Sequence, residues 1–246
     1  MEGGRASGKH ESTGSVRSVR TRPVVTVLIL AAAVAVLVIA LLLTVRPWES
    51  SDPSLTSDES TDSAVSPTAL PPLVDESTLI LDDAGPDAPV VVEFLDFECE
   101  VCGAVYPVME ELRGEYDGEV TFAVRYFPLP GHFNSGNAAV AVETAAQQGA
   151  FEAMYQRMFE TQSEWGEGRE SEADRFRGYA QELGLDMAVY DAGVADPATL
   201  ARVEQDFQAG VALGVDRTPT IFVDGERLEL SQESDIETAI QAALAE

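Results

Sequence analysis

Cysteine, histidine and lysine are scarce in this chain of 246 residues, which has two cysteines, two histidines and a single lysine. Two cysteines cannot build the disulfide framework of a small secreted scaffold. Together with His10 and His132, they close a four-ligand zinc site only if carboxylates contribute. Redox chemistry is therefore the leading use for Cys99 and Cys102.

Basic residues are also few, and the formal net charge is −28. Residues 1–22 carry five basic and two acidic side chains, so the rest of the chain carries −31. Beyond residue 45 there are ten arginines and no lysine. Phosphate binding needs a basic face, so nucleic acid is excluded as a partner. The acidic surface indicates a solvated, self-repelling protein, although it also permits basic clients.

Charge is absent from one long stretch, the 23 residues from Pro23 to Val45. As a helix rising about 1.5 Å per residue, this stretch reaches roughly 34 Å, against a hydrocarbon core of about 30 Å. The alternative is a cleaved secretory signal, but such signals have a shorter apolar region, and the sequence that follows lacks a small-residue cleavage pattern. We therefore expect a retained transmembrane helix over 23–45 that binds the lipid bilayer.

The flanking charges predict the orientation of this span. Five basic side chains precede it, whereas only Arg46 follows it closely. Cytoplasmic flanks carry the excess of Lys and Arg, so residues 1–22 are expected to be a cytoplasmic, disordered tail. Residues 46–77 are rich in Ser, Asp, Thr and Pro and indicate an acidic linker. The protein is then a single-pass protein of the cell membrane with its domain, residues 78–246, outside the cytoplasm.

The domain sequence shows a mixed α/β pattern. Apolar runs predict strands, a helical spacing follows the second of them, and Asp224-Gly225 predicts a hairpin turn before a final helix. A long helical block separates the two halves. The predicted elements are strands at 78–81, 90–97 and 119–127, a helix at 103–116, and a helical insertion over about 128–217.

Several positions together resemble the DsbA-like branch of the thioredoxin superfamily, the extracytoplasmic thiol-disulfide oxidoreductases. A strand ends in C-x-x-C, a helix starts from the first cysteine, and a helical block is followed by T-P-T-I-F-V-D-G. The matching positions are the redox pair Cys99 and Cys102, a buried acid at Glu93, a helix-kinking proline at Pro107, and a cis-proline at Thr218-Pro219.

This resemblance implies a thioredoxin-like fold with a helical insertion over 78–246. It implies an enzyme that forms disulfide bonds in exported client proteins with cysteines, with a membrane redox partner and no bound cofactor or metal. Thr218 and Pro219 would bind the client. Glu100 and Val101 depart from the Pro-His of many family oxidases, so disulfide isomerase or reductase activity remains an alternative. Two further alternatives are a thioredoxin-like binding module with a structural cysteine pair, and a metal site completed by carboxylates.

The residues themselves support parts of this chemistry. A cysteine at a helix N-terminus is stabilised as a thiolate, so Cys99 is the candidate nucleophile, and Cys102, one turn on, can resolve a mixed disulfide. Glu93, in an otherwise apolar strand, could accept the Cys102 proton if burial raises its pKa. Sequence alternation also allows Glu93 to face solvent, and base rates favour a trans bond before Pro219.

Acidic neighbours bear on the direction of electron flow. Asp96, Glu98 and Glu100 surround Cys99 in sequence, and nearby negative charge disfavours a thiolate. We therefore expect a pair less oxidising than one with Pro-His between its cysteines. An exposed Cys99 would favour the enzyme, and a sealed pair would favour the binding module.

We assign His132 no catalytic role, and expect Trp165 in the core of the insertion.

Overall fold

The computed structural model describes residues 70–246. Within this part of the chain, no helix combines the length and apolar character needed to cross a membrane. The tail over 1–22, the span over 23–45 and most of the expected linker lie outside the described residues. The elements are β1 Leu79–Asp82, β2 Val90–Leu95, α1 Glu100–Glu115, β3 Thr121–Tyr126, α2 Ser135–Ala146, α3 Phe151–Glu160, a 3-10 turn Gln162–Glu164, α4 Ala173–Glu182, α5 Met187–Ala195, α6 Pro197–Ala212, β4 Thr220–Val223, β5 Glu226–Arg227 and α7 Ser234–Leu244.

The strands form one mixed sheet in the order β1-β3-β2-β4-β5. The central strand β2 runs parallel to β3 and antiparallel to β4, while β1 is antiparallel to β3. The predicted strand-helix-strand unit is therefore β2-α1-β3. The predicted hairpin is β4-β5, whose turn residues Asp224 and Gly225 have φ of 45° and 90°, as the turn type requires.

Both faces of β2 are covered, which explains its nearly continuous apolar sequence. Side chains alternate across a strand, so Val91 and Val92 point to opposite faces. Val91 packs in a cluster with Met109 of α1 and Ile240 of α7. Val92 packs on the other side with Phe222 of β4, where α6 also lies. The redox loop at the end of β2 is thus held by a layer of structure on each side.

The helical insertion runs from the end of β3 to the start of β4, as predicted. The alanine-rich helix α2 is at its centre, because small side chains let neighbouring helices approach closely, and α3, α4, α5 and α6 all contact it. Trp165 is 2% exposed and packs edge-on against Phe176, with ring centroids 4.8 Å apart. The expectation that Trp165 belongs to the insertion core is confirmed.

The end of the expected linker contacts the domain. The buried guanidinium of Arg125 on β3 donates to Asp206 Oδ1 at 2.7 Å and to the carbonyl oxygens of Pro72 and Leu73 at 3.0 and 3.2 Å. Arg202 of α6 also donates to the carbonyl oxygen of Ser77. A buried arginine needs several acceptors, and this segment supplies some of them.

Candidate functional site

The redox loop is built by Asp96, the first residue after β2. Its Oδ1 accepts the backbone N–H of Glu98 at 2.9 Å, and its carbonyl oxygen accepts the N–H of Cys99 at 3.0 Å. These two bonds turn the chain sharply, so Cys99 becomes the N-cap of α1 with an extended backbone at φ −70° and ψ 119°. The first helical bond then runs from Gly103 N–H to the Cys99 carbonyl at 3.1 Å.

Cys99 is prepared to act as a thiolate. Its pKa is lowered to about 5, although burial alone would raise it. The lowering comes from a hydrogen bond from Cys102, from hydrogen bonding by the Thr218 side chain, and from the backbone N–H groups of Cys102 and Val101. Within residues 70–246, the buried Thr218 hydroxyl makes no hydrogen bond of normal geometry, which leaves it available to donate to the Cys99 sulfur when that ionises. The acidic residues near Cys99 in sequence therefore do not keep its pKa high. Two of them, Asp96 and Glu98, are buried.

Cys102 is in the opposite condition, because its side chain is completely buried. Burial, the hydrogen bond that it shares with Cys99, and the nearby charges of Glu93 and Cys99 raise its pKa well above the usual value of a thiol. The two thiols therefore divide into an easily ionised Cys99 and a Cys102 that ionises only if a base accepts its proton.

Glu93 is the candidate for that base. It is 2% exposed, which rules out the solvent-facing alternative. Glu93 lies on the same face of β2 as Val91 and Leu95. Val91 packs on α1, and Leu95 belongs to the cluster that contains Cys102. Burial and the charge on Cys99 raise the pKa of Glu93 to about 8. A carboxyl with this pKa can both hold and release a proton near neutral pH.

The loop before β4 completes the site. The Thr218-Pro219 peptide bond is cis, as the family resemblance implies, and the Cys99 thiol donates to the Thr218 carbonyl oxygen at 3.4 Å. A groove of about 230 Å³ lies beside it, lined by Thr218, Pro219, the apolar side chains of Val101, Leu228 and Leu230, and neighbouring residues. Val101 is 54% exposed, so the dipeptide between the cysteines presents an apolar contact.

Cys99 is less accessible than we expected for an enzyme, since only 6% of it is exposed. Its sulfur lies 3.4 Å from the carbonyl oxygen of Thr218, a residue that lines the same groove as Val101. A client could reach the sulfur from this groove. An extended segment could do so by pairing with the Thr218 backbone.

Sequence reasoning missed a second contact of Asp96. His132 Nδ1 lies 2.7 Å from Asp96 Oδ2, which also accepts the Leu129 N–H at 3.0 Å. Burial lowers the pKa of His132, but the hydrogen bond to Asp96 and the charges of Asp96, Cys99 and Glu98 raise it overall. His132 thus belongs to the support of the redox loop. No spacing could have indicated this, because the partners are 36 residues apart.

A metal centre finds no support in the described part of the chain. Among residues 70–246, no group of three or more His, Cys, Asp or Glu side chains is arranged to hold a metal ion. Cys99 and Cys102 are both free thiols in this structure.

The sequence was compared with protein families and with curated proteins. A family model described as Thioredoxin matches residues 85–242, more than half of the chain. Among curated proteins, a Na(+)/H(+) antiporter NhaA of Herminiimonas arsenicoxydans is 37% identical over 153 residues. The match covers 62% of this chain but only 23% of that antiporter. The chain thus corresponds to less than a quarter of this relative.

Solved structures share the fold. A thioredoxin-like oxidoreductase from Silicibacter pomeroyi aligns with a TM-score of 0.58 and 24% identity, covering 70% of this chain and 95% of that one. The α-DsbA1 protein of Wolbachia pipientis aligns with a TM-score of 0.60 and 17% identity, covering 70% of this chain and 93% of that one. At these identities the likeness establishes the fold, a thioredoxin-like sheet with the DsbA-like insertion.

Proposed function

This chain belongs to the thioredoxin family, and from that premise we propose that it is a thiol-disulfide oxidoreductase that forms disulfide bonds in exported proteins. The observation that carries the proposal is the asymmetry of the cysteine pair. Cys99 lies at the N-terminus of α1 against Thr218 with a lowered pKa, whereas Cys102 lies one turn deeper, sealed near Glu93 with a raised pKa. A purely structural pair would not need this division.

The proposed oxidation takes two exchange steps. A client thiolate attacks Cys99 of the Cys99-Cys102 disulfide, forming a mixed disulfide and releasing Cys102, which takes a proton from Glu93. A second client thiolate then attacks the client sulfur, forming the client disulfide and releasing Cys99 as a stable thiolate. The client loses two electrons and the cysteine pair gains them. A membrane redox partner that accepts these electrons would restore the disulfide.

The reverse direction is the alternative, as a disulfide isomerase or reductase. The pKa of Cys99 favours oxidation, because a stabilised thiolate stabilises the reduced pair and makes the disulfide a stronger oxidant. Thioredoxin combines a pKa of about 7 with about −270 mV, and DsbA combines about 3.5 with about −120 mV. Interpolation to the Cys99 pKa of about 5 gives roughly −180 mV.

The standard potential tests the proposal directly. We expect the full-length chain, equilibrated in glutathione buffers, to show a two-electron midpoint near roughly −180 mV. The variant with both cysteines replaced by serine is the control for the signal. A midpoint at or below about −270 mV, the value of thioredoxin, would favour a reductase and contradict the oxidase proposal.

We also propose the membrane setting expected from the sequence, with residues 23–45 as an anchor and the domain outside the cytoplasm. The charge asymmetry around residues 23–45 supports it. The relative from Herminiimonas arsenicoxydans adds the observation that a similar sequence forms part of a protein named as a Na(+)/H(+) antiporter. The clients would then be exported proteins that carry cysteines.

Impermeant labelling tests this topology. Because Cys99 and Cys102 are nearly buried, the reporter is Ser231→Cys, at an exposed position, in a background with both native cysteines replaced by serine. We expect a membrane-impermeant maleimide to label it in intact cells. The matched Ser12→Cys in the basic tail should be labelled only after lysis. Labelling of Ser12→Cys alone in intact cells would invert the orientation.

A further inference from the structure

An amide side chain of the helical insertion, that of Gln162, is hydrogen-bonded to the redox loop. Gln162 opens the 3-10 turn that follows α3, and its Nε2 donates to the carbonyl oxygens of Phe97 and Cys99, each at 2.8 Å. These carbonyls lie on either side of Glu98, directly before α1. A single amide group therefore bridges both ends of the bend that presents Cys99.

Gln162 is itself firmly placed. Its own carbonyl oxygen accepts the N–H groups of Trp165 and Gly166 at 3.1 and 2.7 Å. Trp165 is 2% exposed in the core of the insertion, so this turn is tied to packed structure. The amide is thus a rigid connection between the insertion and the redox loop.

Gly103, the residue after Cys102, makes room for this contact. A β-carbon at Gly103 would overlap Gln162 Oε1 and lie 2.8 Å from Gln162 Cδ. Glycine is a poor residue inside a helix because it adds backbone entropy to the unfolded chain. Its presence in the first turn of α1 is explained by the amide that lies against it.

We infer that Gln162 is a positioning residue, through which the helical insertion holds the first turn of α1 in the geometry that stabilises the Cys99 thiolate. This inference rests on the proposed function of the cysteine pair and goes beyond it, because it gives the insertion a part in setting the redox chemistry. Gln162 contacts no reacting atom, so its effect is transmitted by the carbonyl of Cys99 and the bend before it.

Two physical effects act in the same direction. The backbone N–H groups of Val101 and Cys102 help to lower the pKa of Cys99, and they point at the sulfur only while the first turn keeps its shape. The donor end of the Gln162 amide also places partial positive charge beside the Cys99 carbonyl, where a nearby thiolate benefits from it. Loss of the amide should therefore raise the pKa of Cys99.

The first test is Gln162→Leu in the full-length chain, which keeps much of the side-chain volume and removes both donors. We expect the pKa of Cys99, followed by the pH dependence of its alkylation rate, to rise by about half a unit to one unit, and the potential to become about 15–30 mV more reducing. Gln181→Leu, at an exposed position of α4, is the matched control and should change neither value. An unchanged Cys99 pKa in Gln162→Leu would overturn the inference.

The second test approaches the same contact from α1. Gly103→Ala should displace the amide and reproduce the rise in pKa, although alanine is the better helix former. In the double variant Gly103→Ala/Gln162→Leu, the shift should be no larger than in either single variant, because both remove one interaction. Additive shifts would mean that the two residues act separately and would refute the inference. A wild-type protein that fails to oxidise thiols while these shifts persist would refute the proposed function alone.

Discussion

Replacing Cys102 with serine is expected to leave the protein covalently joined to its clients, whereas replacing Cys99 should abolish capture. The mixed disulfide forms on Cys99, and in the wild type Cys102 can release it by attacking the Cys99 sulfur. Serine at position 102 cannot make that attack, so the complexes accumulate. Non-reducing electrophoresis of cells that express the full-length chain should show complexes that dithiothreitol dissolves, at least about tenfold more abundant in Cys102→Ser than in Cys99→Ser.

The reason for this asymmetry is mainly access. With a pKa of about 5, Cys99 is almost entirely thiolate at pH 7, whereas burial raises the pKa of Cys102 and keeps that thiol protonated, so ionisation favours Cys99. The lower basicity of Cys99 also makes its thiolate a weaker nucleophile. These two effects act in opposite directions. Cys102 is completely buried, however, while Cys99 keeps a small exposed area and its sulfur contacts Thr218, which lines the groove.

The outcomes of this experiment separate the candidate functions. Equal capture by both variants would show that the assigned roles are wrong. Capture by neither variant, with both proteins folded, would favour the binding module with a structural cysteine pair. The variant with both cysteines replaced by serine is the control for complexes that do not depend on a disulfide.

The fold was predictable because its signals are local. The apolar run of β2, the helical spacing of α1 and the Asp224-Gly225 turn each depend on a few neighbouring residues. The cis bond at Thr218-Pro219 was expected only through the family resemblance, because base rates favour trans. The cysteine pair and Glu93 were found in the same two ways, by local pattern and by resemblance.

The support of the site was not predictable, because it depends on long-range contacts between polar residues. Gln162 reaches the Cys99 carbonyl across 63 residues of sequence, and His132 reaches Asp96 across 36. Glutamine and histidine in loops give no periodic signal, and the sequence alone cannot show which carbonyl they face. The same holds for Arg125, whose acceptors include residues of the expected linker.

The largest expected effect on stability comes from replacing Glu93 with glutamine. The pKa of Glu93 is raised from 4.5 to about 8 in the folded protein, so ionisation is disfavoured by folding. The stability associated with neutral Glu93 is fully present below about pH 4.5 and is lost as the pH rises towards 8. Glutamine is neutral throughout. At pH 7 we expect Glu93→Gln to exceed the wild type in free energy of unfolding by about 3 kcal/mol, with little difference at pH 4.

Denaturant unfolding of the reduced full-length chain at pH 4, 7 and 8 measures this difference, with exposed Glu100→Gln as the matched control that should follow the wild type. The stabilisation should accompany a loss of function, because glutamine cannot accept the Cys102 proton and release of mixed disulfides should slow, while attack by Cys99 is largely preserved. A stability difference that does not change with pH would mean that Glu93 is ionised in the folded protein. It could then not donate the proton that Cys102 takes when the disulfide opens, and that proton would have to come by another route.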